Sequence, residues 1–333
     1  MPKPTLVDVG REAGVSAITV SRALRTPDKV SDSLRKKVED AVKKLNYVPN
    51  QSASTLASSQ TNTIVVVIPS VTNNVFVRVL EGIEKALENS KFTVQFGNSR
   101  YDPEEEERVV RAFLNPPPAG VILTGLEQSK NTISLLTNQN VPVVQIMDVD
   151  GEPINQLIGF SHEEAAATAT RHLLESGYKK IGLLGAQMDP RSQKRFAGFK
   201  RELIEAGCFH EDCVETSNQP SSVELGSQLM SRLVSRYPEC DAVFCINDDL
   251  ALGVLFECQR RGIRVPEDFG ICGFNDLGIT SQTVPTITSV STPLSEIGRL
   301  AGESFLEDGD RSTERRIDLG YQVIARKSTA KKR

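Results

Sequence analysis

Residues 5–24 read TLVDVGREAGVSAITVSRAL, and the three residues Gly14-Val15-Ser16 decide what the stretch builds. Leu6, Val9 and Ala13 recur at helical spacing and give a short first helix one apolar face, with Thr5 as its cap. Gly14 ends that helix, because glycine enters left-handed backbone angles at little steric cost. Ser16 caps a second helix, whose inward stripe is Val20, Ala23 and Leu24, and Thr26-Pro27 stops it. A third helix starts at Ser31 and turns Leu34, Val38, Ala41, Val42 and Leu45 inward before Tyr47-Val48-Pro49-Asn50 closes the unit. Two short helices joined by a glycine-containing turn and braced by a third describe a helix-turn-helix. The second helix of such a unit enters the major groove of DNA with its N-terminus leading. Ala17 and Ile18 occupy that edge, and Arg22 follows one turn later. Arginine pairs with guanine O6 and N7, and an apolar side chain meets a thymine methyl. Thr5, Ser16, Thr19, Ser21 and Ser31 are candidates for phosphate contacts. The competing reading is a small helical cap domain whose Ser and Thr residues only cap helices.

Charge favours the DNA reading. The 333 residues carry a net charge of -4, yet residues 1–60 hold ten Lys or Arg against six Asp or Glu, a local +4, leaving -8 on the remainder. A basic head on an acidic body directs only the head toward a polyanion. The length predicts two or three domains. No basic start followed by an apolar run reads as a signal peptide, and no stretch approaches the roughly 18 apolar residues of a membrane span. A cytoplasmic protein with no membrane partner is expected. Cys208, Cys213, Cys240, Cys245, Cys258 and Cys272 form no CxxC and read as reduced core residues. His162, His172 and His210 lack ligand spacing, so neither a metal nor another cofactor is expected. No GxGxxG, GxxxxGK[ST] or GxSxG occurs, and the expectation is that the chain is not an enzyme.

From Thr63 the pattern changes to short β-branched runs alternating with amphipathic helices: TIVVVIPS, VLEGIEKALENS, FTVQFGNS, PEEEERVVRAFL, AGVILTG and VPVVQIMD. The alternation restarts after Ser161 and runs to FGICGFND. Continuous apolar strands between helices predict parallel sheets covered on both faces, in two similar lobes. Ligands in such folds bind beyond the carboxyl ends of the strands. Ser70, Asn73, Asn74, Phe76, Asp148, Arg191, Arg195, Asn247 and Asn275 lie at those ends, while Asp248 is read as the cap of the following helix. Planar polar groups beside an aromatic ring suit a polyhydroxylated ligand. Arg191, Lys194 and Arg195 add a basic cluster, and arginine clamps a carboxylate through two parallel hydrogen bonds.

Residues 5–58 as a whole, TLVDVGREAGVSAITVSRAL followed by VSDSLRKKVEDAVKKLNYVPNQSASTLAS, resemble the N-terminal signature of the LacI/GalR-type bacterial repressors. The resemblance implies base reading by Ala17, Ile18 and Arg22. It also implies a hinge helix over 50–60 in which Leu56 wedges into the minor groove and Ala53 packs closely, with Asn50 at its start. Gly10 stands where the family usually has alanine. The body is expected to look like a periplasmic sugar-binding protein, with a first lobe of 61–160 plus 291–325, a second of 161–290, and the chain returning to the first lobe near Thr288–Leu294. The organisation implied is a helix-turn-helix domain over 1–49, the hinge, and an effector-binding and dimerisation domain over 61–333. Arg195 in RFAGF and Asn247 in IND match effector-gripping positions. Asn275 in GFND replaces the usual aspartate, which removes a repulsion for an acidic ligand. IPSVTNNVF, FCINDDLALGVLFECQRRGIRVPED and IDLG resemble the branch that represses gluconate utilisation. The expectation is therefore a homodimeric repressor on a palindromic operator, answering to gluconate, 2-ketogluconate or 6-phosphogluconate. The alternatives are a regulator of a neutral-sugar or nucleoside pathway and a non-specific architectural DNA-binding protein. The basic tail ARKSTAKKR lacks leucine heptads, favouring a dimer over a tetramer, and reads as a frayed end.

Overall fold

The computed structural model describes residues 3–26, 29–48, 61–306 and 315–331; the expected hinge helix, with Asn50, Ala53 and Leu56, lies outside them. The chain divides into two compact units, Met1–Thr61 and Asn62–Arg333. In the first, α1 (Leu6–Ala13), α2 (Ala17–Arg25) and α3 (Asp32–Lys44) enclose Val9, Val20, Ala23, Val38, Ala41 and Tyr47. Thr5 and Asp8 form a reciprocal capping box at the head of α1, and Gly14 ends it at φ 69°. Gly10 lets α1 approach the turn, since a Cβ there would stand 2.7 Å from the Val15 carbonyl oxygen.

The second unit opens with β1 (Thr63–Ile68), α4 (Asn74–Leu87), β2 (Thr93–Asn98), α5 (Pro103–Phe113), β3 (Gly120–Thr124), α6 (Lys130–Asn138), β4 (Val143–Ile146) and β5 (Gln156–Gly159). The alternation resumes with α7 (His162–Glu175), β6 (Ile181–Ala186), α8 (Pro190–Glu205), β7 (Val214–Ser217), α9 (Val223–Arg236), β8 (Ala242–Cys245), α10 (Asp248–Arg261), β9 (Gly270–Asn275) and β10 (Thr288–Ser291). The chain closes with α11 (Leu294–Glu303), β11 (Arg315–Asp318) and β12 (Gln322–Ile324). One sheet runs β11-β5-β4-β3-β1-β2 with every pairing parallel. The other runs β7-β6-β8-β9-β10-β12, parallel except for the antiparallel β12. In β1, Ile64, Val66 and Ile68 enter one apolar cluster and Val65 and Val67 another, so both faces are covered. In each sheet the strand order reverses beside the first strand, β1 or β6, and such folds bind ligands beyond the carboxyl ends of the strands at that point.

The chain passes between the lobes near Ser161, between β10 and α11, and between β11 and β12. The last passage corrects the expected boundary at 325. Gly320, at φ 65°, turns the chain out of β11, and Val323 then pairs with Val290 of β10, so β12 belongs to the second sheet. The tail is not frayed through residue 331. Ser328 is buried and donates to the Ile271 carbonyl at 2.6 Å, and Arg326 pairs with Asp276 at 2.7 Å. Five of the six cysteines are buried, and all six are free thiols.

Helices α4 and α11 meet backbone to backbone. A Cβ on Gly298 would collide with the Val79 carbonyl oxygen, and one on Gly82 with that of Ser295. Gly298→Ala is expected to force the pair apart and to cost about 1–3 kcal/mol in denaturant unfolding. A loss below about 0.5 kcal/mol would show that the helices slide freely.

Candidate nucleic-acid interface and ligand cavity

The outer face of α2 is built by its cap. The Ser16 hydroxyl accepts from the Thr19 amide at 3.2 Å and lies 2.8 Å from the Thr19 hydroxyl. Val20 and Ala23 then point into the small core, which turns Ile18 and Arg22 outward. Ile18 is 74% exposed, a large apolar side chain on the first turn of a polar helix. Arg22 is exposed and, among the described residues, makes no ion pair, whereas Arg11, Arg35 and Lys44 pair with Asp8, Glu39 and Glu12. Ala17, Thr19 and Ser21 are half-buried beside them. Thr5 spends its hydroxyl on Asp8, at 2.6 Å, and the Ser31 side chain caps nothing and rests 3.3 Å from the Ser33 hydroxyl. The first amides of α2, ahead of the one taken by the Ser16 cap, and the Arg22 guanidinium suit phosphate and base edges respectively.

In the second unit, a cavity of about 90 Å³ lies at the carboxyl ends of both sheets. It gathers Ser70, Phe76, Arg191, Arg195, Asn247 and Asn275 from the sequence-based set, together with Asn73. Two candidates fall elsewhere. Asn74 is exposed on an outer groove. Asp148 is buried, and its carboxylate is consumed by Lys194 Nζ at 2.5 Å and by the Val149 and Asp150 amides. That ion pair joins the first lobe to α8 of the second. The expected cap is also corrected: Asn247, not Asp248, caps α10 by accepting from the Leu250 amide at 3.1 Å. Asp248 lies fully buried and accepts from Ser289 Oγ at 2.6 Å and the Leu277 amide at 2.7 Å. Burial pushes its carboxyl up to about 7.

Arg195 is fixed on three sides. Its Nε donates to His162 Nδ1 at 3.1 Å, its Nη1 to the Ile246 carbonyl at 2.5 Å, and its guanidinium covers the Phe274 ring at 3.9 Å. His162 lies 2.7 Å from the Met147 carbonyl through Nε2. That nitrogen therefore carries the proton and donates it, leaving Nδ1 as the acceptor. Burial, reinforced by the Arg195 charge, holds the imidazole neutral. Burial also lowers Arg195 to about 10, still fully charged at neutral pH. Arg191 differs. Burial opposes its charge, but the Asp189 and Glu127 carboxylates outweigh burial and raise its pKa. Its Nη2 pairs with Asp189 at 3.0 Å, while its buried Nη1 has no hydrogen-bond partner. The buried Oδ1 of Asn275, another residue of the cavity wall, is equally unpartnered. Asn275 and Asp276 hold φ of 102° and 51°, a conformation that costs about 1–3 kcal/mol per residue unless its surroundings enforce it. Two residues of the cavity wall, Arg191 and Asn275, thus each keep one buried polar atom without a hydrogen-bond partner in the protein.

Sequence reasoning missed Tyr101, Asp189, Ser221 and Asp249 in the wall. Asp189 was findable, since Asp before Pro190 is a helix-start signal and its carboxylate accepts from the Ser192 amide. Tyr101 gives no local signal; its hydroxyl meets Asn73 across a loop. A neighbouring cavity of about 260 Å³ shares Tyr101, Asp189 and Arg191 and adds Glu106, whose carboxyl burial raises to about 7. Among the described residues, no cluster of side chains could hold a metal ion and no helix is long and apolar enough to cross a membrane.

A helix-turn-helix unit with an outward arginine, followed in the chain by two sheet lobes that line a polar cavity, defines a ligand-responsive DNA-binding regulator. The family of bacterial regulatory proteins of lacI type matches residues 5–50, and a periplasmic-binding-protein-like domain matches residues 170–329. The HTH-type transcriptional regulator GntR of Pseudomonas aeruginosa is 40% identical over 329 residues, covering 98% of this chain and 96% of that one. A LacI-family transcriptional regulator from Silicibacter pomeroyi superposes with a TM-score of 0.92 at 36% identity, over 99% of this chain and 100% of the other. The lac repressor dimer bound to operator and an anti-inducer superposes at 0.85 and 25% identity, over 98% and 99%. The chain belongs to the LacI family of DNA-binding transcriptional regulators.

Proposed function

We propose that a homodimer of this chain represses sugar-acid catabolism genes in the cytoplasm by setting two α2 helices in the major groove of a palindromic operator, and that gluconate or a close derivative releases it. Ala17, Ile18 and Arg22 read bases in this scheme, with Thr5, Ser16, Thr19, Ser21 and Ser31 on the backbone and Asn50, Ala53 and Leu56 in the minor groove. Ser70, Phe76, Arg191, Arg195, Asn247 and Asn275 hold the effector. The observation that carries the acidic effector is the buried, unpartnered Nη1 of Arg191. A carboxylate satisfies it, and a ligand hydroxyl donates to Asn275 Oδ1. Effector closing the lobes disfavours the operator-bound form, so operator must weaken effector by the same factor. Asp249 in the cavity wall supports a second reading, a neutral sugar whose hydroxyls donate to that carboxylate.

Calorimetric titration with gluconate, 2-ketogluconate, 6-phosphogluconate and galactose separates the two. An acid is expected to bind most tightly; galactose binding tighter than every acid rejects the sugar-acid effector. Arg22→Ala is expected to cost about 1–3 kcal/mol on the operator and to blur base choice at one position in each half-site. Equal loss on all duplexes, measured by competition binding, would assign Arg22 to phosphate.

A further inference from the structure

We infer that Asp248, which does not line the cavity, is the positioning residue that aims the Asn275 amide at the ligand, an inference resting on the reading of the cavity as the effector site. The chain leaves β9 through two consecutive residues at positive φ, Asn275 and Asp276, neither of them glycine. Such a bend persists only where neighbours impose it. Here the neighbours converge on one carboxylate. The Leu277 amide donates to Asp248 Oδ2 at 2.7 Å. The Asp276 amide donates to Ser289 Oγ at 3.1 Å, and that hydroxyl donates to Asp248 Oδ1 at 2.6 Å. Asp248 therefore holds both residues that follow Asn275, one directly and one through Ser289 of β10. Arg326 fixes the Asp276 side chain from the far side, at 2.7 Å.

The carboxylate is placed with little freedom. Asp248 is the first residue of α10, immediately after Asn247, which both caps the helix and lines the cavity. A Cβ on Gly273 would collide with Asp248 Oδ1, so β9 is cut back to admit it. The outcome is a buried Asn275 whose Oδ1 has no partner in the protein. An acceptor held in this way, rather than free to swing onto a neighbouring amide, selects ligands that present a hydroxyl donor at that point. Asp248 thus acts on specificity without touching the ligand.

A double-mutant cycle tests this by calorimetry with gluconate. Asn275→Ala is expected to weaken binding about 10-fold, the loss of one buried hydrogen bond. Asp248→Asn should weaken it by a similar factor, and the double variant should be no weaker than Asn275→Ala alone, within about 2-fold. Additive losses, near 100-fold for the double variant, would overturn the inference, as would unchanged binding by Asp248→Asn. Ser289→Ala combined with Asn275→Ala gives the same decision should Asp248→Asn fail to fold. A wild-type chain that binds galactose and no acid rejects the sugar-acid reading alone, and the cycle then decides with galactose. Binding of none of the four probes rejects both.

Discussion

Removal of residues 1–61 is expected to leave a protein that binds the proposed effector as the full chain does and selects no operator over random duplex. The two halves of this expectation have separate causes. The second unit contains both sheets and every residue lining the cavity, so its ligand chemistry stands without the first. The first unit has its own core and holds Ile18 and Arg22. The acidic body left behind carries a net charge of -8 and has no electrostatic reason to approach DNA. The expected loss is the whole of the specific preference, about 10³-fold or more. Mobility shift on the operator and calorimetry on the truncated chain measure the two halves. A truncated chain that still singles out the operator would move the DNA site into the lobes.

Arg191→Met is expected to lower affinity for the proposed acidic effector by about 2–5 kcal/mol, a factor of roughly 30 or more. The substitution keeps most of the side-chain volume and deletes the orphaned Nη1 together with the charge. It also strands Asp189, whose carboxyl burial would raise but which Arg191 holds below its ordinary value. Part of the loss therefore comes from a buried carboxylate left without its guanidinium and now facing an anion. The neutral competitor galactose should lose far less. Equal losses for both ligands in parallel titrations would mean that Arg191 shapes the cavity instead of binding a carboxylate.

Much of this was legible in the chain because the signals were local. Thr5, Gly14 and Ser16 mark helix ends through their own backbone chemistry, and each stands where the cap falls. The strand-helix alternation exposed the parallel strands of both sheets, since burial on two faces leaves no polar register in β1 or β6. What stayed hidden depends on partners distant in sequence. Asp148 read as a free strand-end carboxylate because nothing near it announces Lys194, forty-six residues on. Asn247 and Asp248 are neighbours with equal claims to the cap, and only the long-range bonds to Leu277 and Ser289 decide which one turns inward. The tail looked solvated because its composition is basic, yet Ser328 and Thr329 between the charges are the residues that dock. Short strands such as β12 carry too few residues to show a period at all.

The threefold passage of the backbone between the sheets limits what can be done with the body. Neither half is an uninterrupted stretch of polypeptide, so neither can be expressed, swapped or duplicated as a simple fragment. Three ties between two lobes also permit fewer relative movements than a single linker would. A nick at one passage, introduced by protease or by circular permutation, leaves two ties in place. It should loosen the opening and closing of the crevice long before it lets the halves drift apart.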